Sequence, residues 1–411
     1  MGDRTRSVNA GSVCVVSPLP ARNVARPESG VAQYVALLAG QLQADGEVRI
    51  LGQKGCCVAA LPADVTAEEC WRPGLWAARD VDRRLEELRP SVIHLQHEYS
   101  LFGGLVATAR MTSVVGRRSK ECQVVTTLHS VVSPGMADAS FLRRNGFPPI
   151  AVLGRLALRV SLRRIRSASS VVVVHHEYFR GILVEAYGFD PGRVRVIPMG
   201  SGEARKESDG ARLLGHGENT GAVSSSSGSG RLPVALVFGF LASYKLPELV
   251  VAAARRMKDC DVRFAFCVGF NRRARTRRYR RRYEALHRAV AELGEQASWC
   301  GYIPDEAVAK VFARSDVLVL PYTDCVSVSA VAGLAASYGV AVCYSSVLEP
   351  VLGVGGCRFA LTAESLEDAI RRALAGGAGK SSTVEIVPWT EVAQETVMAW
   401  RAAVGATSVS G

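Results

Sequence analysis

Short runs of valine, isoleucine and leucine punctuate the chain, each followed by turn residues and then by a helical alternation of apolar and polar positions. In the first half they are VCVV from Val13, VRIL from Val48, VIHL from Val92, VVTTL from Val124, VVVV from Val171 and VRVI from Val194. A strand buried on both faces has no polar side to show, so unbroken apolar runs alternating with helices predict an α/β domain built on a doubly wound parallel sheet. From about Gly202 to Gly230 this rhythm stops, and the chain passes through SSSSGSG at Ser224, the make-up of a flexible linker. It restarts with VALVFG at Val234, VRFAFCVG at Val262, VLVLP at Val317, VAVC at Val340 and CRFAL at Cys357. The expected organisation is a Rossmann-like domain over residues 1–201, a polar linker or insertion over 202–231, a second Rossmann-like domain over 232–389, and a C-terminal helix over 390–411 free to pack back on the first domain.

Composition narrows the picture. With 48% apolar and 21% charged residues the chain matches ordinary globular usage, which excludes a mainly disordered protein, and 411 residues suit two domains. The opening MGDRTRSVNA carries charges without an apolar run of signal-peptide length, and Val13–Val16 is too short to span a bilayer, so a cytoplasmic protein without a membrane-spanning segment is expected. The net charge of +12 suggests nucleic acid until it is located: eight of the eleven positions from Arg272 to Arg282 are arginine, and without them the chain carries +4. No platform of stacking aromatics accompanies that run, so no nucleic-acid partner is expected. Eleven scattered cysteines lack CxxC spacing and sit mostly in apolar runs, where a reduced thiol serves as a small core hydrophobe.

In open parallel sheets ligands bind beyond the carboxyl ends of the strands, so the polar residues there are the first candidates. After the first strand a Pro/Gly loop leads into a helix at Gly30, where free backbone N–H groups suit an anion or form an ordinary turn. The third run ends His94-Leu95-Gln96-His97-Glu98-Tyr99; two histidines three apart on a strand face opposite sides, and the order is not that of a helical HExxH motif, so no metal is expected. The fourth run ends at His129, a candidate for acid/base or orienting work, or a hydrogen-bonded structural residue. The strict GxGxxG dinucleotide fingerprint is absent.

HLQHEYSLFGG, TLHS and VVVVHHEYFRGILVEAYGFDPGRVRVIPMGS resemble the N-terminal domain of the retaining GT-B glycosyltransferases, the group that includes glycogen synthase-like and phosphatidylinositol mannosyltransferase-like enzymes. In the second half FGFLASYKLPELVVAA and WCGYIPDEAVAKVFARSDVLVLPY resemble that group's basic loop and donor-side stretch. The resemblance covers roughly residues 11–200 and 233–346. It implies an α/β fold of two Rossmann-like domains facing across a cleft, acceptor side first, and transfer of a sugar from a nucleotide-diphosphate donor with retained configuration. Neither a metal nor a resident cofactor is implied, and the acceptor is a small molecule, glycan or lipid. By the same resemblance Lys245 matches the lysine that binds the donor diphosphate, His129 the histidine lining the reacting sugar, Gly30 the glycine loop near the phosphates, and Tyr302 and Ile303 the loop around the base. His97 and Glu98 fall on the acceptor side.

Two departures stand out. The family's GR pair reads Gly239-Phe240 here, and the positions of its two donor-site glutamates hold Val326 and Leu334. The segment Asp324-Cys325-Val326-Ser327-Val328-Ser329 offers instead one carboxylate, Asp324, and N–H groups after Ser327 and Ser329 that suit a phosphate. The alternative function is therefore a GT-B protein without transfer activity that acts as a partner subunit or couples a different activated substrate. Arg272 and Arg273, after the strand VRFAFCVG, are further donor-side candidates. Acceptor choice is expected in the segment from Pro134 to Pro149. A stripe of Arg155, Arg159, Arg163 and Arg166 beside Leu153, Leu156, Val160 and Leu162 suits peripheral contact with an anionic membrane, or a helix on its own sheet with arginines outward.

Overall fold

The computed structural model describes residues 11–21, 29–57, 61–99, 101–144, 150–201, 231–270, 276–354, 357–376 and 385–405. The linker expected at 202–231 lies outside them up to residue 230, as do Arg272, Arg273 and positions 145–149. The chain divides into two compact units, one of residues 1–200, 326–328 and 387–411, the other of 201–325 and 329–386.

The first unit contains β1 (Val13–Val16), α1 (Gly30–Ala39), β2 (Val48–Gln53), β3 (Val65–Trp71), α2 (Ala77–Leu88), β4 (Val92–His97), α3 (Leu105–Arg118), β5 (Gln123–Leu128), α4 (Ala139–Arg144), α5 (Ala151–Ala168), β6 (Val171–Val174), α6 (Glu177–Tyr187) and β7 (Val194–Val196). Its strands run parallel in the order β3-β2-β1-β4-β5-β6-β7, so the winding reverses between β1 and β4. All six apolar runs of the first half became strands. The seventh, β3, has the sequence VTAEECW and alternates between buried ends and exposed middle positions. It is an edge strand, and one that borders solvent needs no unbroken apolar run, which is why the pattern gave no signal for it.

The second unit holds β8 (Val234–Phe240), α7 (Pro247–Arg256), β9 (Arg263–Gly269), α8 (Arg277–Ala291), β10 (Ala297–Trp299), α9 (Asp305–Ala313), β11 (Val317–Leu320), α10 (Ala330–Ser337), β12 (Ala341–Ser345), α11 (Glu349–Leu352), β13 (Cys357–Phe359) and α12 (Ala363–Leu374). Its parallel order is β10-β9-β8-β11-β12-β13, reversing between β8 and β11. The edge strand β10, ASW, has no valine, isoleucine or leucine and is again invisible to patterning. Helices α7 and α12 close one side of this sheet, with Ile370 of α12 and the strand residues Phe264, Phe266 and Val317 all fully buried.

The last helix, α13 (Trp389–Gly405), belongs to the first unit and buries Val392, Val397, Trp400 and Ala403 against its core. Of the eleven free cysteines six are buried, as a small-hydrophobe role requires, while Cys57 and Cys300 are exposed. Among the described residues no helix is long and apolar enough to cross a membrane.

Candidate active site

Both winding reversals place strand ends side by side, and each unit gathers its polar side chains there. In the second unit the turn between β8 and α7 carries Lys245. Its backbone is held from one side by Tyr322, with which it forms an antiparallel bridge, and by Leu246 N–H donating to the Pro321 carbonyl at 2.8 Å. From the other side Arg282 of α8 donates to the carbonyls of Ala242 (2.9 Å) and Lys245 (2.6 Å) while forming a two-point ion pair with Glu248. The Lys245 ammonium sits 5.3 Å from the Tyr322 ring centre and 6.0 Å from that of Tyr244. Burial works against the ammonium, but the oxygens of Tyr322, Tyr244 and Tyr279 more than offset it, so its pKa lies above the ordinary lysine value. The result is a cation beside a small, open hollow lined by Gly239, Phe240, Val268 and Tyr322. Gly239 is required there: its φ is +105°, and a Cβ would stand 3.0 Å from Lys245 Nζ.

Phe240 stacks on Tyr302 with ring centres 5.8 Å apart and 25° between planes. Gly269 makes room for the pair, since a Cβ would lie 3.0 Å from Phe240 Cδ1 and 3.3 Å from Tyr302 Cδ2. An aromatic wall thus borders the cation. Ile303 follows Tyr302 in the loop leading to α9. Asp324 is buried, beyond Thr323, whose N–H donates to Tyr244 O at 2.8 Å. Ser329 is the N-cap of α10, its hydroxyl accepting from Ala332 N–H at 3.3 Å, so that side chain is already engaged. Ser327 is partly exposed and counts with the first unit.

Arg282 is a residue that sequence reasoning passed over. It lies within a basic run, yet the helical spacing of Tyr279, Arg282, Tyr283, Leu286 and Val290 marks them as one inner face. Tyr279 and Tyr283 hydroxyls donate to the carbonyls of Leu241 (3.1 Å) and Val268 (3.2 Å), at the ends of β8 and β9.

In the first unit Gly30 opens α1, with Ser29 extended before it and making no side-chain cap; a Cβ at Gly30 would meet nothing within 4 Å. The ends of β4, β5 and β6 carry a continuous buried polar chain. Trp400 Nε1 lies 3.0 Å from His94 Nδ1, and His94 Nε2 lies 2.8 Å from Thr127 Oγ1 and 3.1 Å from one end of the Gln96 amide. The other end is 2.7 Å from His129 Nε2, His129 Nδ1 is 3.2 Å from His175 Nε2, and His175 Nδ1 is 2.9 Å from the Ile197 carbonyl.

Counting donors fixes the protons along this chain. An indole N–H only donates, so His94 Nδ1 accepts and its proton sits on Nε2. A carbonyl only accepts, so His175 carries its proton on Nδ1 and takes one from His129 Nδ1–H. His129 Nε2 is then an acceptor, which requires the amide NH2 of Gln96 toward His129 and its oxygen toward His94, the reverse of the placed amide, whose oxygen faces His129 and whose nitrogen faces His94. Both ends of the chain select the same orientation. In nitrogen-15 spectra of histidine-labelled protein we expect His129 and His175 as Nδ1–H tautomers and His94 as the Nε2–H tautomer; an Nε2–H signal from His129 would contradict the chain. Burial drives His94 down to about 3 and His175 to about 4, and pushes His129 well below the usual histidine value, helped by the neighbouring histidines. Both His129 nitrogens are thus committed within the protein.

His97, at the end of β4, is different. Its ring is fully buried, packs edge-on to Tyr99 at 5.6 Å, and neither nitrogen has a partner among the described residues; burial lowers its pKa to about 4. Glu98 next to it is partly exposed. Among the described residues no group of three or more histidine, cysteine or acidic side chains is placed to hold a metal ion.

The chain is similar to several solved structures along nearly its whole length. Sucrose-phosphate synthase from Thermosynechococcus elongatus aligns with 16% identity and a TM-score of 0.64 over 97% of both chains. The catalytic domain of starch synthase IV from Arabidopsis thaliana, bound to ADP and acarbose, aligns with 13% identity and a TM-score of 0.64 over 97% of this chain and all of that one. Anabaena HepE in complex with UDP and glucose aligns with 14% identity and a TM-score of 0.60 over 97% of this chain and all of that one. No curated protein matches the sequence. Residues 29–201 match the model of Glycosyltransferase Family 4, and with two parallel-sheet units in this order the chain has the GT-B fold.

Proposed function

We propose that the chain moves a sugar from a nucleoside-diphosphate donor to an acceptor hydroxyl. The observation that carries this reading is the fixed Lys245 cation at the winding reversal of the second sheet, the place where open α/β sheets bind ligands. When the bond between the anomeric carbon and the β-phosphate oxygen breaks, negative charge grows on the diphosphate, and a cation already in position stabilises it. The acceptor oxygen bonds to the anomeric carbon from the face that the diphosphate leaves, so configuration is retained, and its proton passes to a leaving phosphate oxygen. Gly239, Lys245, Arg272 and Ser329 are the donor-phosphate candidates of the second unit in this proposal, Tyr302 and Ile303 its base side and Asp324 its carboxylate, while Gly30 and Ser327 are the phosphate candidates of the first unit. His97 and Glu98 serve the acceptor, His97 because its buried nitrogens want partners. His129 contributes through its place at the strand end, its nitrogens being taken. The scheme uses no resident cofactor and no metal. In proteins of known structure, complexes of HepE with UDP and of starch synthase IV with ADP support a nucleotide donor.

A second reading, the same scaffold without transfer, is favoured by the segment AVAGLAAS of α10, which carries no carboxylate where the family has one. Thermal shift with UDP, GDP, dTDP and ADP separates the two. A nucleotide at 100 times its dissociation constant is expected to add about 2.7 kcal/mol of stability. If no nucleotide raises the melting temperature and no nucleotide sugar is hydrolysed, the transfer reading is wrong.

A further inference from the structure

We propose that Cys267 and Cys300 form a reversible oxidation site, a dithiol that hydrogen peroxide closes to a disulfide. Strand register makes this pair, which is why no CxxC spacing announces it. β9 and β10 run parallel with Ser298 beside Ala265 and Trp299 beside Phe266. Cys300 N–H donates to the Phe266 carbonyl at 2.9 Å, which carries the ladder one step further and sets Cys300 beside Cys267. Side chains alternate along a strand, so both sulfurs leave the face opposite the one where Phe266 and Trp299 join the core of the second unit. Neighbouring strands stand about 4.8 Å apart, within the roughly 4.4–6.8 Å between Cα atoms that a disulfide spans. β10 is the edge of its sheet, and Cys300 lies one residue past its end, before Gly301 at φ +67°. Drawing the sulfurs together therefore moves chain at the margin of the sheet.

The two thiols differ as a two-step oxidation requires. Cys300 is exposed, whereas Cys267 is 2% exposed beneath it. Hydrogen bonding from Cys267, aided by Ser298, holds the Cys300 thiolate and lowers its pKa despite partial desolvation, while the same bond and burial push Cys267 up. Cys300 is thus the attacking sulfur and Cys267 the resolving one. The Cys300 thiolate bonds to one peroxide oxygen as the O–O bond breaks, and the departing hydroxide takes a proton to become water. Cys267 sulfur then bonds to the Cys300 sulfenic sulfur, the S–O bond breaks, and hydroxide leaves with the Cys267 proton as a second water. The dithiol gives up two electrons and two protons, and the peroxide is reduced to two waters.

Cys343 and Cys357 are in register on the parallel strands β12 and β13, and Cys343 and Arg372 favour the Cys357 thiolate as well. Both are buried in the core, at 0% and 6%, so access rather than acidity separates the two pairs. Cys57 is also exposed, but the Cα atoms of Cys56 and Cys57, adjacent in the chain, stand about 3.8 Å apart, short of a disulfide's range.

The test treats the reduced full chain, as parent and as Cys57→Ser, with hydrogen peroxide. Remaining thiols are alkylated in denaturant, and peptides are mapped by mass spectrometry without reductant. A peptide linking Cys267 to Cys300 is expected, with two thiols lost from Cys57→Ser, its mass lower by about 2 Da, and full recovery in dithiothreitol. Cys343 and Cys357 are expected to stay alkylated. Cys300→Ser is expected to abolish the link and leave Cys267 reduced, with an unchanged circular dichroism melt because the side chain is exposed. Cys267→Ala is expected to stop at a Cys300 sulfenic acid, trapped by dimedone. The readout is the bond itself, so nucleotide binding and turnover do not enter it. The proposal is overturned if Cys267 stays reduced in the parent while Cys300 passes to the sulfinic acid, or if neither reacts. It is equally overturned if the link joins Cys343 to Cys357 or joins Cys300 of two molecules.

Discussion

Replacing Lys245 with alanine is expected to lower turnover of a nucleotide sugar about 100-fold or more, by analogy with loss of one preorganised donor to a developing charge. The loop itself does not depend on the lysine side chain. Arg282 binds the carbonyls of Ala242 and Lys245, and Tyr322 bridges the Lys245 backbone, so these contacts survive the substitution. Melting temperature is therefore expected to move little while turnover and nucleotide affinity fall. Lys245→Arg is expected to recover only part, because a planar guanidinium does not reproduce a compact ammonium set between the Tyr244 and Tyr322 rings. Steady-state kinetics with the best nucleotide sugar, paired with nucleotide titration, checks both variants. Unchanged affinity and turnover in Lys245→Ala would remove the cation from the donor site.

That loop shows where the sequence is readable and where it is not. The lysine is visible because it follows an apolar strand and precedes a proline-started helix, both local features. What fixes it in place is not local: Glu248 and Arg282 are 34 residues apart, and the arginine is hidden among others of its kind. The same division holds for the fold. The runs of valine, isoleucine and leucine advertise their strands, and every one predicted is present, whereas β3 (VTAEECW) interrupts its apolar residues with Thr66, Glu68 and Glu69 and β10 (ASW) has no valine, isoleucine or leucine at all. Phe240 is legible in the sequence, but its stacking on Tyr302 depends on space left by Gly269, which only coordinates reveal.

The histidines make the point most sharply. His97, His129 and His175 sit at strand ends and His94 within β4, and the sequence marks His97 and His129 as candidates on that ground. Their different situations follow from partners brought by the topology. His129 is held by Gln96 and His175 from the two flanking strands, and His94 by Trp400, 306 residues further along the chain. His97, one residue from Gln96, receives no partner among the described residues. Position along a strand gave the set of candidates; only packing separates the histidine built into the scaffold from the one left open.

Stability of the first unit is expected to fall steeply as pH drops from about 6.5 toward 4. His94, His97, His129 and His175 are neutral in the fold, with His94 lowered to about 3 and His97 and His175 to about 4, in each case mainly by burial. The unfolded chain binds protons at these rings below about pH 6.5 while the folded chain does not, so unfolding takes up protons and stability rises with pH through this window. Above it the contribution is fully present; below it each ring costs about 1.4 kcal/mol per pH unit until its folded pKa is reached. Four rings acting together exhaust a typical domain stability of about 5–15 kcal/mol within two or three pH units. Carboxylates do not mimic this. Arginine hydrogen bonds lower the pKa of Glu68 (Arg84) and Glu367 (Arg371 and Arg256), so their contribution is lost only below the ordinary glutamate value of 4.5. Melts followed by near-ultraviolet circular dichroism, which reports the buried Trp71 and Trp400, are expected to shift down strongly between about pH 7 and 5. A melting temperature that stays level over that interval would mean that the rings are hydrated or already charged in the fold, and the neutral hydrogen-bonded chain from Trp400 to Ile197 would have to be abandoned.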